Sequence, residues 1–227
     1  MSCLTVGSIV SMDSAMSTTG TLTASEIDVL NATATDEVEG IIYPTAIPGV
    51  VEMIVADKYS ASGNSVLSSA TTIYGTEIFL TASTTANYVI DTKTLTSAPG
   101  FTPIGFSGSG DLLAGQRVRV QVTAVTTSVN NTITATAKNI VLRFSRVAAT
   151  VGSVTGSNFT VTSYPTYMGV LNTTLGSSPY AFTYSPSTIF DGLTGTGNMT
   201  SGSAVAIRAL YLDNTQPAFA VAKVRVP

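Results

Sequence analysis

The stretch GSGDLLAGQRVRV, residues 108–120, spaces three glycines as a phosphate-binding loop does. Such a loop must deliver its last glycine to the N-terminus of a helix, where backbone N–H groups can face an anion. Here Gly115 leads instead into period-two alternation: Val118, Val120 and Val122 fall on one face, Arg117, Arg119 and Gln121 on the other. The glycines therefore read as turn residues that feed a strand.

The same grammar returns as GTGNMTSGSAVAI at 195–207: Gly-x-Gly, then Asn198 where the first copy has Asp111, an apolar residue, two more residues, Gly202, and an alternating strand through Val205 and Ile207. A second strand follows each copy. ATAKNIVL (135–142) aligns without gaps with FAVAKVRV (219–226), so that Ala137 matches Val221 and Ile140 matches Val224. Each copy is thus predicted to be a β-hairpin. Upstream, YVIDTKTL (88–95) aligns with FTYSPSTI (182–189), placing Thr94 opposite Thr188, and VEGII (38–42) with VGSV (151–154). The latter two open strands that continue into VVEMIVAD and NFTVTS.

A third copy is partial. Leu4, Gly7, Val10 and Met12 fit the motif, and TLTASEIDVL (21–30) fits the second strand through Leu22, Ala24, Ile27 and Val29. Two strands, around 4–13 and 20–30, are expected. The domain reading is a half-module hairpin at 1–35, a full module at 36–146 with insertions mainly at 58–87 and 97–110, and a full module at 147–227. No sustained 3.6-residue apolar stripe interrupts this all-β pattern.

These features resemble a family of uncharacterised bacterial repeats, a domain of unknown function found in exported proteins and lipoproteins. DLLAGQRVRV (111–120) and GTLTASEIDV (20–29) carry the resemblance. It implies tandem OB-like antiparallel β-barrel modules. Its motifs are structural glycines and core positions, so it assigns no functional residue.

Composition narrows the function classes. Charged residues make up 10% of the 227, and mean hydropathy is +0.36. An exterior so poor in charge and rich in Ser and Thr suits a protein that packs against copies of itself. Net charge is −3, and the ten Lys and Arg are scattered along the sequence without a basic run, so nucleic acid is not an expected partner. With no His, and Cys3 as the single cysteine, intramolecular disulfides, the common zinc sites and His-based triads are excluded. No apolar stretch reaches the roughly 20 residues needed to span a bilayer. MSCLTVGSIV lacks the basic start and long apolar run of a signal peptide, so an export signal would lie upstream.

Candidate sites are few. Asp36, Glu37 and Glu39 form the densest acidic cluster; a solvated hinge between modules is preferred over a calcium site. Asp111 and Asn198 read as turn residues bonding the backbone two positions on. Tyr164 and Tyr167 could form an aromatic platform for a sugar, although such tyrosines more often fill a barrel edge. Sequons stand at Asn31, Asn130, Asn158, Asn172 and Asn198. Cys3 reads as a buried thiol rather than a lipidation site.

No enzymatic activity, cofactor or metal is expected. The leading expectation is a structural subunit of an extracellular or cell-surface assembly such as a filament, joined by β-strand complementation. The alternative is a glycan- or polymer-binding cell-surface module. On the leading reading Val10, Met12, Leu22, Ile27, Val29 and Val226 form the subunit interface, because a lone hairpin has open edges and the last strand presents one at the other end of the chain.

Overall fold

The computed structural model describes residues 10–16, 19–29, 36–43, 50–59, 77–81, 86–90, 106–127, 133–163, 180–184, 188–194, 199–212 and 219–226. Among these the chain is all-β. The strands are β1 (Val10–Met16), β2 (Leu22–Val29), β3 (Asp36–Tyr43), β4 (Val50–Tyr59), β5 (Glu77–Thr81), β6 (Asn87–Ile90) and β7 (Arg117–Thr127). They continue with β8 (Ile133–Arg143), β9 (Ser145–Thr155), β10 (Asn158–Ser163), β11 (Tyr180–Thr183), β12 (Ile189–Asp191), β13 (Ala204–Tyr211) and β14 (Phe219–Arg225). The described residues include no α-helix, and a single 3-10 turn at Ser109–Asp111 precedes β7.

The glycine motif enters a strand, as the alternation predicts. Gly115 and Gly202 both take a positive φ, +92° and +89°, a region open to glycine and strained for other residues. Each then locks to the first strand of its sheet: Gly115 N–H donates to Ile42 O and Gly202 N–H to Val151 O, both at 2.8 Å. The return bonds, Ile42 N to Gln116 O and Val151 N to Ser203 O, are 2.9 Å each.

The strands form a two-stranded sheet, β1-β2, and two six-stranded sheets of matching topology, β5-β4-β3-β7-β8-β6 and β11-β10-β9-β13-β14-β12. In each large sheet a further parallel pairing, β5–β8 or β11–β14, links the ends of five strands into a ring. The expected purely antiparallel order is corrected here. β8 and β14 each pair antiparallel on one side and parallel on the other, first with β5 or β11, then with β6 or β12. The last strand is therefore occupied on both sides, and Val226 N–H reaches Asp191 O at 3.4 Å, so among the described residues the terminal strand of the sheet is β12 rather than β14.

Register tests the internal repeat residue by residue. Val120 opposes Ile140 as Ile207 opposes Val224, and Val122 opposes Ala137 as Ala209 opposes Val221. The alignment of the two hairpins stands. The upstream alignments do not. Tyr88 shares its place opposite Ile140 with Phe190, opposite Val224, so YVID matches residues from Phe190 onward rather than FTYS. Val38 corresponds to Val147, because they oppose Val120 and Ile207, which moves the second opening strand four residues earlier than VGSV. The presumed insertion at 58–87 contains β5. The first error arose where pairing is parallel and the strands are short, so that no local turn fixes the offset; the second lies on antiparallel β3 and β9, whose partners β7 and β13 come far along the chain.

The half-module follows the same register. Val10 opposes Val29, Met12 opposes Ile27 and Ser14 opposes Ala24, with a bulge after Asp13. The other two hairpins bulge at the equivalent places, after Gln121 and after Arg208. β2 falls within the expected 20–30, β1 runs three residues past the expected end at 13, and residues 1–9, with Cys3, lie outside the described set.

Two cores fill the large sheets. One gathers Val38, Met53, Val118, Val120, Ile140 and Leu142. The other gathers Val147, Val151, Ile207 and Val224 around a stack of Phe159, Phe182, Phe219 and Tyr211 with centroid spacings of 5.3, 4.5 and 5.0 Å. Leu210, Ala220 and Ala222 point away from the second core and join the first. Burial on both faces explains why FAVA (219–222) is a continuous apolar run.

Candidate functional site

The outer face of the hairpin strands carries the side chains that the cores do not use. In the first large sheet a hydrogen-bonded row crosses four strands: Asn87 Nδ2 donates to Asn139 Oδ1 (2.9 Å), Asn139 Nδ2 to Gln121 Oε1, and Gln121 Nε2 to Glu37 Oε1 (2.7 Å). Register dictates this row, since Asn87 opposes Asn139, Asn139 opposes Gln121 and Gln121 opposes Glu37. The row floors a depression of about 500 Å³ that Tyr88, Val89, Arg119 and Val141 also line. Burial pushes the Tyr88 phenol above its ordinary value of 10.0, and the charge of Asp111 adds to the rise.

One step along β3, Glu39 is 2% exposed and meets three guanidinium groups: Arg117 at 2.6 Å, Arg119 at 3.2 Å and Arg143 at 3.9 Å. This overturns the solvated-hinge reading of the acidic cluster, since Glu37 and Glu39 are both buried within β3. The sequence held a usable signal. Glu-x-Glu at 37–39 and Arg-x-Arg at 117–119 have the same period of two on strands that pair, so the opposite charges meet on one face.

Asp111 does serve the turn, but it bonds backwards. Its carboxylate accepts from Ser107 N–H (2.7 Å), Gly108 N–H (3.0 Å) and Ser107 Oγ (3.2 Å). These bonds, the Ser107 backbone bond foremost, hold its pKa below the usual 3.8. Asn198, Tyr164, Tyr167, Asn31, Asn130 and Asn172 lie outside the described residues. Asn158 is exposed and accepts from Thr183 Oγ1 at 2.7 Å.

Of the proposed interface residues, Val10 pairs with Val29, Met12 with Ile27, and Leu22 with Met16 in the β1–β2 hairpin. Ile27 is 40% exposed and Val226 39%. Val226 belongs to the other end of the chain, and the described residues bring it next to none of the hairpin positions.

The second large sheet carries a different outer row. Arg146 opposes Arg208, Arg208 opposes Lys223, and Arg225 follows two residues on from Lys223 along β14. These are the only Lys and Arg in residues 145–227, and one face holds all four. Scatter in sequence thus concealed a cationic surface. Arg208 lies 5.0 Å over the Phe144 ring, and Lys223 Nζ is 3.0 Å from Asp191 Oδ2. Among the described residues, no group of His, Cys, Asp and Glu could hold a metal ion, and no helix is long and apolar enough to cross a membrane. The chain matches no known family model and no curated protein sequence.

Proposed function

We propose that the protein is a structural subunit of an extracellular or cell-surface assembly, a filament by preference, built from OB-like modules at 36–146 and 147–227 and a half-module at 1–35. The single observation that carries the reading is the β1–β2 hairpin. It repeats the register and bulge of β7–β8 and β13–β14, yet among the described residues it is a sheet of two strands where each counterpart belongs to a sheet of six. A two-stranded hairpin is marginal in water, and its edges are templates for another chain. Complementation by a second copy at a different surface is heterologous and propagates. Low charge and positive hydropathy agree with a surface designed for packing against itself. The OB-like reading draws support from the ring order, in which the first strand of a sheet pairs with the second and fourth and the third runs parallel to the fifth.

The test compares the full chain with residues 36–227 by light scattering and negative-stain microscopy, with circular dichroism to verify folding. The full chain should form regular assemblies and the shorter one should stay dispersed and β-rich. Equal assembly by both ends this reading.

A glycan-binding role is the second reading. Glu37 Oε2, at the floor of the depression, accepts no hydrogen bond from the described residues, and Arg119 Nε is 4.0 Å from it. A sugar hydroxyl could donate there while the neighbouring amides fix the ring. Specific retention on a glycan array by a dispersed monomer would favour this role over assembly.

A further inference from the structure

The amide row of the first large sheet has a counterpart by register in the second. Glu37, Gln121, Asn139 and Asn87 stand where the sister sheet has Arg146, Arg208, Lys223 and Ile189, with neighbours opposed in the same way. Val89 and Val141, which wall the depression, take the places of Asp191 and Arg225. The same topology thus accepts a different set of side chains on this face. The row is an addition to the fold rather than a condition of it.

A single carboxylate gives the row its direction. Glu37 accepts and does not donate, so Gln121 turns its Nε2 toward it; Gln121 Oε1 then accepts from Asn139 Nδ2, and Asn139 Oδ1 from Asn87 Nδ2. Each amide nitrogen carries two hydrogens, and the row uses one. What remains for a ligand is a second N–H on each of the three amides, repeated at the strand spacing of about 4.8 Å. Beside them stands one acceptor, Glu37 Oε2, which receives no hydrogen bond. Glu37 is 9% exposed, and a buried carboxylate oxygen left unbonded is destabilising, so the site lacks one donor.

We infer that the depression binds a neutral, hydroxyl-rich sugar, one hydroxyl donating to Glu37 Oε2 and others accepting from the amide row, and that Glu37 selects against charged sugars. This rests on the glycan reading above and names its ligand class. A carboxylate or sulfate at Glu37 Oε2 meets a like charge and brings no hydrogen. An ammonium group brings hydrogens, but Arg119 Nε stands 4.0 Å from that oxygen and repels it, while Glu39, 3.2 Å away, already matches the charge of Arg119. A hydroxyl both donates and accepts, so neighbouring hydroxyls of one ring serve both kinds of group. An extended peptide fits less well. Carbonyls on one side of it recur every two residues, about 6.8 Å, out of step with amides about 4.8 Å apart. Val89, 49% exposed, and Val141 give the C–H face of a ring an apolar wall.

The test probes an array with the full chain. The array carries neutral oligomers of glucose, galactose and mannose, oligomers of uronic acids, sulfated sugars and free amino sugars, and extended peptides. Neutral oligomers should be retained and the other classes passed over. Glu37→Gln keeps an acceptor for Gln121 but puts N–H where Oε2 stood, and should weaken binding of the retained oligomer by about tenfold or more with a β-rich spectrum preserved. Asn87→Ile installs the sister sheet's residue at an exposed position, so it tests the row even if Glu37→Gln fails to fold, and it should weaken binding as well. Retention of charged sugars at or above the level of neutral ones overturns the inference and leaves the glycan reading standing. Wild-type affinity in Asn87→Ile, or in a folded Glu37→Gln, overturns it likewise. Retention of peptides and no sugar, or of nothing on the array, ends the glycan reading and the inference with it.

Discussion

The buried side-chain amide of Gln116 donates to the backbone carbonyl of Tyr211 at 3.2 Å, tying the turn before β7 to the end of β13. The same amide accepts from Leu113 N–H at 2.7 Å, so one side chain satisfies groups on both sides of the junction. Gln116→Ala should destabilise the protein by about 2 kcal/mol, because it leaves buried backbone groups without partners. Urea unfolding checks this; a loss under half a kcal/mol would mean that water replaces the amide.

Glu39 holds its three arginines at a place where the second large sheet has none. Glu39, Arg117 and Arg119 correspond to Ala148, Ala204 and Ala206. Removing the carboxylate alone, Glu39→Ala, should cost roughly 3 kcal/mol, since it strands guanidinium groups in a partly buried site. Removing all three together, to the alanines of the sister sheet, should cost less than the single change. Comparison of the two variants by thermal melting decides, and a triple variant weaker than Glu39→Ala refutes the account.

Gly40 is required by the strand that crosses it. A Cβ there would stand 2.2 Å from Ile54 O and 2.9 Å from Met53 Cγ, and Gly40→Ala should therefore cost about 2 kcal/mol. The equivalent residue in the second large sheet is Ala149. Gly108→Ala is the control. That residue is extended, with open space around its Cβ, and the change should stay within about 0.5 kcal/mol by the same melts.

Asp111 predicts one feature of the acid limb of stability. Its folded pKa lies below the ordinary 3.8, so its contribution is complete above that value and is lost as pH falls through the lowered folded value. Asp111→Asn should lower stability near neutrality and flatten the acid-side slope below about pH 4. Urea midpoints measured from pH 2 to 7 test this, and identical slopes in both proteins would contradict it.

The sequence by itself determined the secondary structure class, the three hairpins and their mutual alignment. Period-two alternation assigns Val118, Val120 and Val122 to a core face without any tertiary information, and the glycine before each strand needs only local backbone geometry. Local signals end where pairing becomes non-local. The parallel partners of β8 and β14 come from segments that no short turn connects to them, so the offsets of β6 and β12 and the mixed character of the sheets emerged only in three dimensions. The candidate surfaces were hidden for the same reason. Arg146, Arg208 and the Lys223–Arg225 pair come from three separate strands, and Glu37, Gln121, Asn139 and Asn87 come from four. Hydrogen-bonded register aligns such residues across strands spaced by about 4.8 Å, and that alignment depends on which strands pair, a choice made by the folded core rather than by any segment alone.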